Sequence, residues 1–237
     1  MKKTIVMASL VLFACGSLAA FETTKSLTLS AEGLKGLEIR AGAGSLTVTG
    51  RDGLAAIEVK AEIVAKGVAD EDMDAHIKDR IELTLEKRGD SAVLVSRVRE
   101  ESRLFHIGSG TVVNLTVSVP KTMTLDIDDG SGSIAVDEVA GVSIDDGSGS
   151  IRVGRVAGDV KIDDGSGGIE IDDVTGNVSV DDGSGELRVR QVGGTVTVDD
   201  GSGSIDIKDV EKDVRLISTG SGGVDIANVK GRVVRSE

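Results

Sequence analysis

The stretch Asp145-Asp146-Gly147-Ser148-Gly149-Ser150-Ile151-Arg152-Val153-Gly154-Arg155-Val156-Ala157-Gly158-Asp159-Val160-Lys161-Ile162 decides the fold, because close copies of it lie on both sides. Asp-Asp-Gly-Ser-Gly begins at Asp128, Asp145, Asp163, Asp181 and Asp199, a nearly constant interval. A decayed copy, Ser218-Thr219-Gly220-Ser221-Gly222, follows at close to the same interval. Self-similarity at one fixed short period is the signature of a solenoid.

Between these markers the apolar residues fall into columns. One runs Ile134, Ile151, Ile169, Leu187, Ile205, Val224; the next runs Val136, Val153, Ile171, Val189, Ile207, Ile226. A third holds the corner valines Val139, Val156, Val174, Val192, Val210 and Val229. Two more columns begin at Val142 and Ile144 and continue through Val160 and Ile162. Apolar-x-apolar spacing marks short strands with one buried face, and β-branched side chains suit a pleated surface better than a helix. Two such strands per unit cannot bury their apolar face alone. Stacking successive units at ~4.8 Å buries it and turns each column into a ladder of like residues. The expected fold is all-β: a parallel β-helix or flattened β-roll solenoid with coils of ~18 residues. Gly141, Gly158, Gly176, Gly194 and Gly231 recur two residues after the corner valine, where a positive φ is expected.

Residues 126–237 form this regular solenoid. Over 37–125 the same idea is degenerate. Leu37-x-Ile39, Leu46-x-Val48 and Ile57-x-Val59-x-Ala61 are strand-like, Ala69 to Lys78 is the one helical candidate, and Arg80 to Val98 reads as a hairpin. Val113 to Val119 is a further strand, ended by Pro120. These elements are expected to form the first coils and to cap the amino-terminal end of the stack, with 20–36 as a lead-in.

The leader, 1–19, has the form of a secretory signal peptide: Met1-Lys2-Lys3, an apolar run from Thr4 to Ala14, then small residues. Its apolar run of about 11 residues spans ~16 Å as a helix, too short for a ~30 Å hydrocarbon layer. Ser17-Leu18-Ala19 fits ordinary cleavage, leaving Ala20 first. Leu12-Phe13-Ala14-Cys15 also has the outline of a lipobox, with Cys15 as the lipid-bearing residue, although Phe13 is bulky for it. The sequence leaves both open. Membrane contact is expected only through such an anchor, and the location is the periplasm or cell surface of a bacterium.

Composition narrows the function. The chain has 237 residues, 32 Gly, 1 Pro, 3 Phe, no Trp or Tyr, 2 His, 1 Cys and a net charge of −13. Without a basic face or stacking aromatics, nucleic-acid binding is not expected. With one cysteine, no disulfide holds the mature chain. From Asp126 to Arg215 there are 22 acidic and 8 basic residues, so the solenoid carries all the excess negative charge.

Leu115-Thr116-Val117-Ser118-Val119-Pro120, then Leu125 and the repeated Gly-Ser-Gly-x-Ile-x-Val, resemble the bacterial family named putative adhesins, or β-strand-repeat domains of unknown function, over Leu37 to Val234. The resemblance implies a secreted or surface-attached β-solenoid.

The repeated Asp-Asp pairs would repel along one edge of the stack unless something offsets them. An Asp before Gly-Ser-Gly can accept from the backbone N–H two residues on, as in an Asx-turn, while solvent screens its neighbour. Calcium is the sharper alternative. Against it, aligning Gly147-Ser148-Gly149-Ser150 with the calcium-binding nonapeptide puts Ile151 where the ligand Asp belongs. No cofactor and no metal ligand is therefore assigned. Five equivalent carboxylate pairs do not make a glycosidase dyad, which occurs once. No phosphate loop or nucleophile elbow occurs, and His76 and His106 read as surface or packing residues. No catalytic residue is assigned. The one non-repeating polar cluster is Arg97 to His106, comprising Arg97, Arg99, Glu100, Glu101, Arg103 and His106. The expected function is a non-catalytic exported interaction or envelope-associated module with an unidentified surface partner. The alternatives are a carbohydrate-active enzyme or a calcium-binding repeat protein on a β-helix.

Overall fold

A computed structural model of the chain describes residues 20–66, 73–99 and 110–236. The leader with Cys15, and Glu100, Glu101, Arg103 and His106 of the polar cluster, lie outside the described residues.

Among the described residues two ten-stranded sheets face each other. The regular part begins with β8 (Thr124–Asp129) and β9 (Ser131–Asp137), and each later winding adds one strand to each sheet. The windings are β10 (Gly141–Asp146) with β11 (Gly149–Val156), β12 (Val160–Asp164) with β13 (Gly167–Val174), and β14 (Val178–Asp182) with β15 (Gly185–Val192). Then come β16 (Val196–Asp200) with β17 (Gly203–Val210), β18 (Val214–Ser218) with β19 (Val224–Val229), and β20 (Val233–Arg235). The predicted β-solenoid is what forms. All these strands pair in parallel, and like residues meet: Val142 beside Val160, Ile144 beside Ile162, Ile151 beside Ile169, Val153 beside Ile171.

The columns of the sequence are the core. Ile151, Val153, Val156, Val160 and Ile162 are all buried, as are their equivalents through Leu216. Each such side chain contributes about 1.5–3 kcal/mol relative to exposure. The last coil is open on its outer side: Val224, Ile226 and Val229 are only partly buried, and Val233 and Val234 are exposed.

The corner valine needs a backbone device at a place other than the expected glycine. Val153 and Val156 are three apart, so simple alternation would point them to opposite faces. Arg155 lies between them in the left-handed region, at φ 50°, and drops out of the pairing, so that Gly154 matches Asp172 and Val156 matches Val174. Asp173 drops out opposite it, so the register is kept and the paired kink turns the valine inward. It recurs at Glu138, Asp173, Gln191, Asp209 and Asn228, at φ 53–60°. The glycines two residues past the valine do not have positive φ. Gly158, Gly176 and Gly194 are there for space, because a Cβ would sit 2.2–2.4 Å from a carbonyl oxygen of the neighbouring coil.

At the amino-terminal end spatial order departs from chain order. β2 (Gly36–Arg40) pairs with β8, and β3 (Ala43–Arg51) pairs with β9, so they extend the regular stack. β6 (Ser91–Val98) and β7 (Thr111–Pro120) then pair with β2 and β3 from the other side, still in parallel. The rest is antiparallel: β5 (Ile81–Arg88) on β6, β4 (Ala56–Lys66) on β7, and β1 (Ala20–Ser30) on β4. β1 lies in the segment read only as a lead-in; Leu27-x-Leu29 is its sequence signal. The helix α1 (Met73–Arg80), which carries His76, precedes the β5–β6 hairpin.

Candidate functional site

The Asp-Asp-Gly-Ser-Gly corner is where the repeat concentrates its polar chemistry. In β10 the apolar residues Val142 and Ile144 point inward, and alternation carries the same face on to Asp146. Asp145 therefore points out and Asp146 in. The same holds from β8 to β16, so each Asp-Asp pair belongs to two separate ladders. The outer one is Asp128, Asp145, Asp163, Asp181 and Asp199; the inner one is Asp129, Asp146, Asp164, Asp182 and Asp200.

The inner carboxyls are 1–4% exposed, as deep as the valines beside them. One oxygen of each is satisfied in the middle windings by the expected Asx-turn. The Ser148, Ser166 and Ser184 N–H groups donate to Oδ1 of Asp146, Asp164 and Asp182 at 3.3, 3.2 and 3.0 Å. The other oxygen, Oδ2, has no partner in Asp129, Asp146, Asp164 or Asp182, and in Asp200 both oxygens lack one. Burial pushes every one of these acids above the usual carboxylate range, Asp129 to about 7 and Asp182 to about 6. The negative charge of stacked neighbours adds to the effect, Asp146 acting on Asp129, and Asp164 and Asp200 on Asp182.

The turn that follows is built by glycine. Gly167 stands at φ +149°, with its hypothetical Cβ 1.5 Å from the Gly149 carbonyl oxygen, and the equivalent glycines repeat this from Gly132 to Gly203. Its N–H donates to the Ser184 carbonyl at 2.9 Å, one rung of a ladder that ties successive corners together. Outside, the corner forms a shallow groove of about 840 Å³ lined by Ser148, Ser166, Ser184, Ser202 and Ser221 with their glycines.

The two outer faces differ in charge. On the β9–β17 face cations and carboxylates interleave: Arg152 pairs with Glu170 at 2.8 Å, and Arg190 and Lys208 pair with Asp206 at 3.1 and 2.8 Å. The Lys208 and Arg190 contacts hold the Asp206 carboxyl below its ordinary value. On the β8–β16 face Asp145, Asp163 and Asp181 are exposed with no ion pair.

Of the non-repeating cluster, Arg97 and Arg99 line a hollow of about 570 Å³ together with Arg80. Arg99 also pairs with Glu82 at 3.6 Å. Among the described residues no group of three or more His, Cys, Asp or Glu side chains converges as a metal site would require, and no helix is long and apolar enough to cross a membrane. Read from sequence, one Asp of each pair accepts in an Asx-turn while its neighbour faces solvent; the turn bonds form at Asp146, Asp164 and Asp182, and what the sequence reading misses is the burial of that member. Its signal is the phase of Val142-x-Ile144-x-Asp146.

A family model described as Toastrack DUF4097 matches residues 34–236. No curated protein matches the chain. Solved bacterial structures are similar, among them the following three. A "putative cell adhesion protein" from Clostridium sporogenes is 12% identical, with 92% of this chain and 100% of that chain covered and a TM-score of 0.41. A "putative lipid binding protein" from Parabacteroides distasonis is 14% identical, with 90% and 97% covered and a TM-score of 0.47. A "putative adhesin" from Parabacteroides merdae is 11% identical, with 91% and 96% covered and a TM-score of 0.42.

Proposed function

We propose that this chain, which belongs to the Toastrack DUF4097 family, is a non-catalytic exported module that binds a cell-surface or envelope partner through the outer face of its solenoid. The observation that carries this reading is the outer aspartate ladder. Asp128, Asp145, Asp163, Asp181 and Asp199 stand in register on consecutive parallel strands. Like charges one strand apart repel, and the opposite face shows that this repeat can accommodate compensating cations. Leaving Asp145, Asp163 and Asp181 exposed without an ion pair suits a partner that brings the positive charge. The leader would deliver the chain across the inner membrane, and the first residue of the mature protein, lipidated Cys15 or free Ala20, would set whether it is anchored.

The test compares the mature chain with a variant in which the five outer aspartates are replaced by Asn, for retention on intact cells and isolated envelopes of the producing bacterium. Retention that weakens with salt and is lost in the variant is the expected result. Equal retention of both proteins excludes this face, and no retention of the native chain excludes the module. Mass spectrometry of the mature amino terminus decides the anchor: lipid mass on Cys15, or an unmodified chain starting at Ala20.

A further inference from the structure

The inner ladder is not needed for the proposed binding face, and its chemistry leads elsewhere. Five carboxyls stack in register inside the corner of the solenoid, 1–4% exposed, from Asp129 to Asp200. Four have one oxygen without a donor and the fifth has two. Buried acceptors without donors, and buried like charges one strand apart, are both strongly unfavourable. A proton on one carboxyl removes a charge and also supplies a donor to its neighbour. We propose that the inner aspartates of successive windings share protons along the column, so that the solenoid is tightest in mild acid and loosens as pH rises.

Beyond the Asx-turn N–H groups that meet one oxygen in the middle windings, the side chains around the column supply no donor. The facing strands β9 to β17 turn Ile134, Ile151, Ile169, Leu187 and Ile205 into the interior, all apolar. The titratable neighbours on the same strands are the outward Asp128, Asp145, Asp163, Asp181 and Asp199, which add only negative charge. Lys161 of β12 and Arg215 of β18 stand among the outward residues, and Arg40 of β2 is in register with outward Asp128. At the far end Asp199 is in register with Ser218, and the acidic column stops.

The sign follows from linkage. These acids have folded-state values above the unfolded value of 3.8, so the folded chain holds protons that the unfolded chain has released. Their contribution to stability is fully present below about pH 3.8 and is lost as pH climbs through about 6 for Asp182 and about 7 for Asp129. Through Asp182 alone the folding equilibrium constant falls roughly a hundredfold across that window.

The experiment is thermal unfolding of the full mature chain between pH 4 and pH 8 at fixed ionic strength, beside the Asp164→Asn/Asp182→Asn variant. Each Asn keeps the shape but cannot ionise. The unfolding midpoint of the native chain is expected to fall as pH rises, and the slope to flatten in the variant. Infrared spectra of the native chain supply a readout that needs no variant: a protonated-carboxyl band persisting at pH 6. A midpoint independent of pH overturns the proposal, as does loss of that band by pH 5. So does calcium raising the native midpoint at pH 7 but not that of the variant, which would make the column a cation site.

Discussion

Replacing Gly167 by Ala tests the stacking geometry at its tightest point, and Gly168→Ala beside it is the control. At Gly167 the added carbon would lie 1.5 Å from the Gly149 oxygen and 2.6 Å from its carbonyl carbon, on a backbone held at φ +149°. A carbon–oxygen contact needs roughly 3.3 Å, so the coils must part by well over an ångström. That movement breaks the bond from Gly149 N–H to the Ser166 carbonyl, 2.9 Å, which joins the two coils. It contributes about 1 kcal/mol, and an alanine forced into this conformation adds about 1–3 kcal/mol. The expected loss is therefore about 2–4 kcal/mol, or roughly 10 °C in Tm for a chain of this size. At Gly168 the nearest atom outside its chain neighbours is 4.0 Å away and φ is not left-handed, so Ala there is neutral or slightly stabilising. Circular dichroism melts of the two variants beside the native chain decide it. Gly167→Ala unfolding within about 0.5 kcal/mol of native, or Gly168→Ala unfolding as early as Gly167→Ala, would refute the reasoning.

Three further outcomes are expected. Ile171→Ala, in the middle of a buried ladder, should cost about 3 kcal/mol in urea denaturation, while Ile226→Ala in the partly open last coil should cost less than half of that; equal losses would contradict the burial assigned to the terminal winding. Gln191→Gly should stabilise by about 0.5 kcal/mol by relieving its left-handed backbone, whereas Gln191→Val should destabilise by at least about 1 kcal/mol; the reverse ranking in melting experiments would contradict the left-handed kink. Adjacent outer aspartates repel by roughly 0.8 kcal/mol in water, so the native midpoint should rise with sodium chloride. Asp145→Asn/Asp163→Asn/Asp181→Asn should raise the low-salt midpoint and blunt that response, and an unchanged salt dependence would show that the ladder is already neutralised.

The solenoid was legible because its cause is repetitive: Ile151, Ile169 and Leu187 can share one dry ladder only if one turn of the chain matches the interval between them. The features that were not legible are those where residue type hides the conformation. The left-handed kink is occupied by Glu138, Arg155, Asp173, Gln191, Asp209 and Asn228, with no glycine among them, so only the odd-numbered step from Val153 to Val156 betrays it. The depth of Asp146 goes unread because carboxylates are almost never buried unpaired; the alternation of its strand, which places it inside, outweighs that preference. The placement of β6 and β7 beyond β2 and β3 depends on pairing between distant segments, for which this part of the chain carries no repeat signal.

Because Val142 lies on Val160, Val160 on Val178 and Val178 on Val196, every winding presents its neighbours with nearly the same surface. Excising one whole winding, such as 160–177, would bring Val178 onto Val142 and leave both sheets continuous. Gene segments encoding single turns can thus be duplicated or dropped by recombination with little structural penalty, and the rod lengthened or shortened by ~4.8 Å at a time. The fold works as an adjustable ruler whose graduations are written in the DNA.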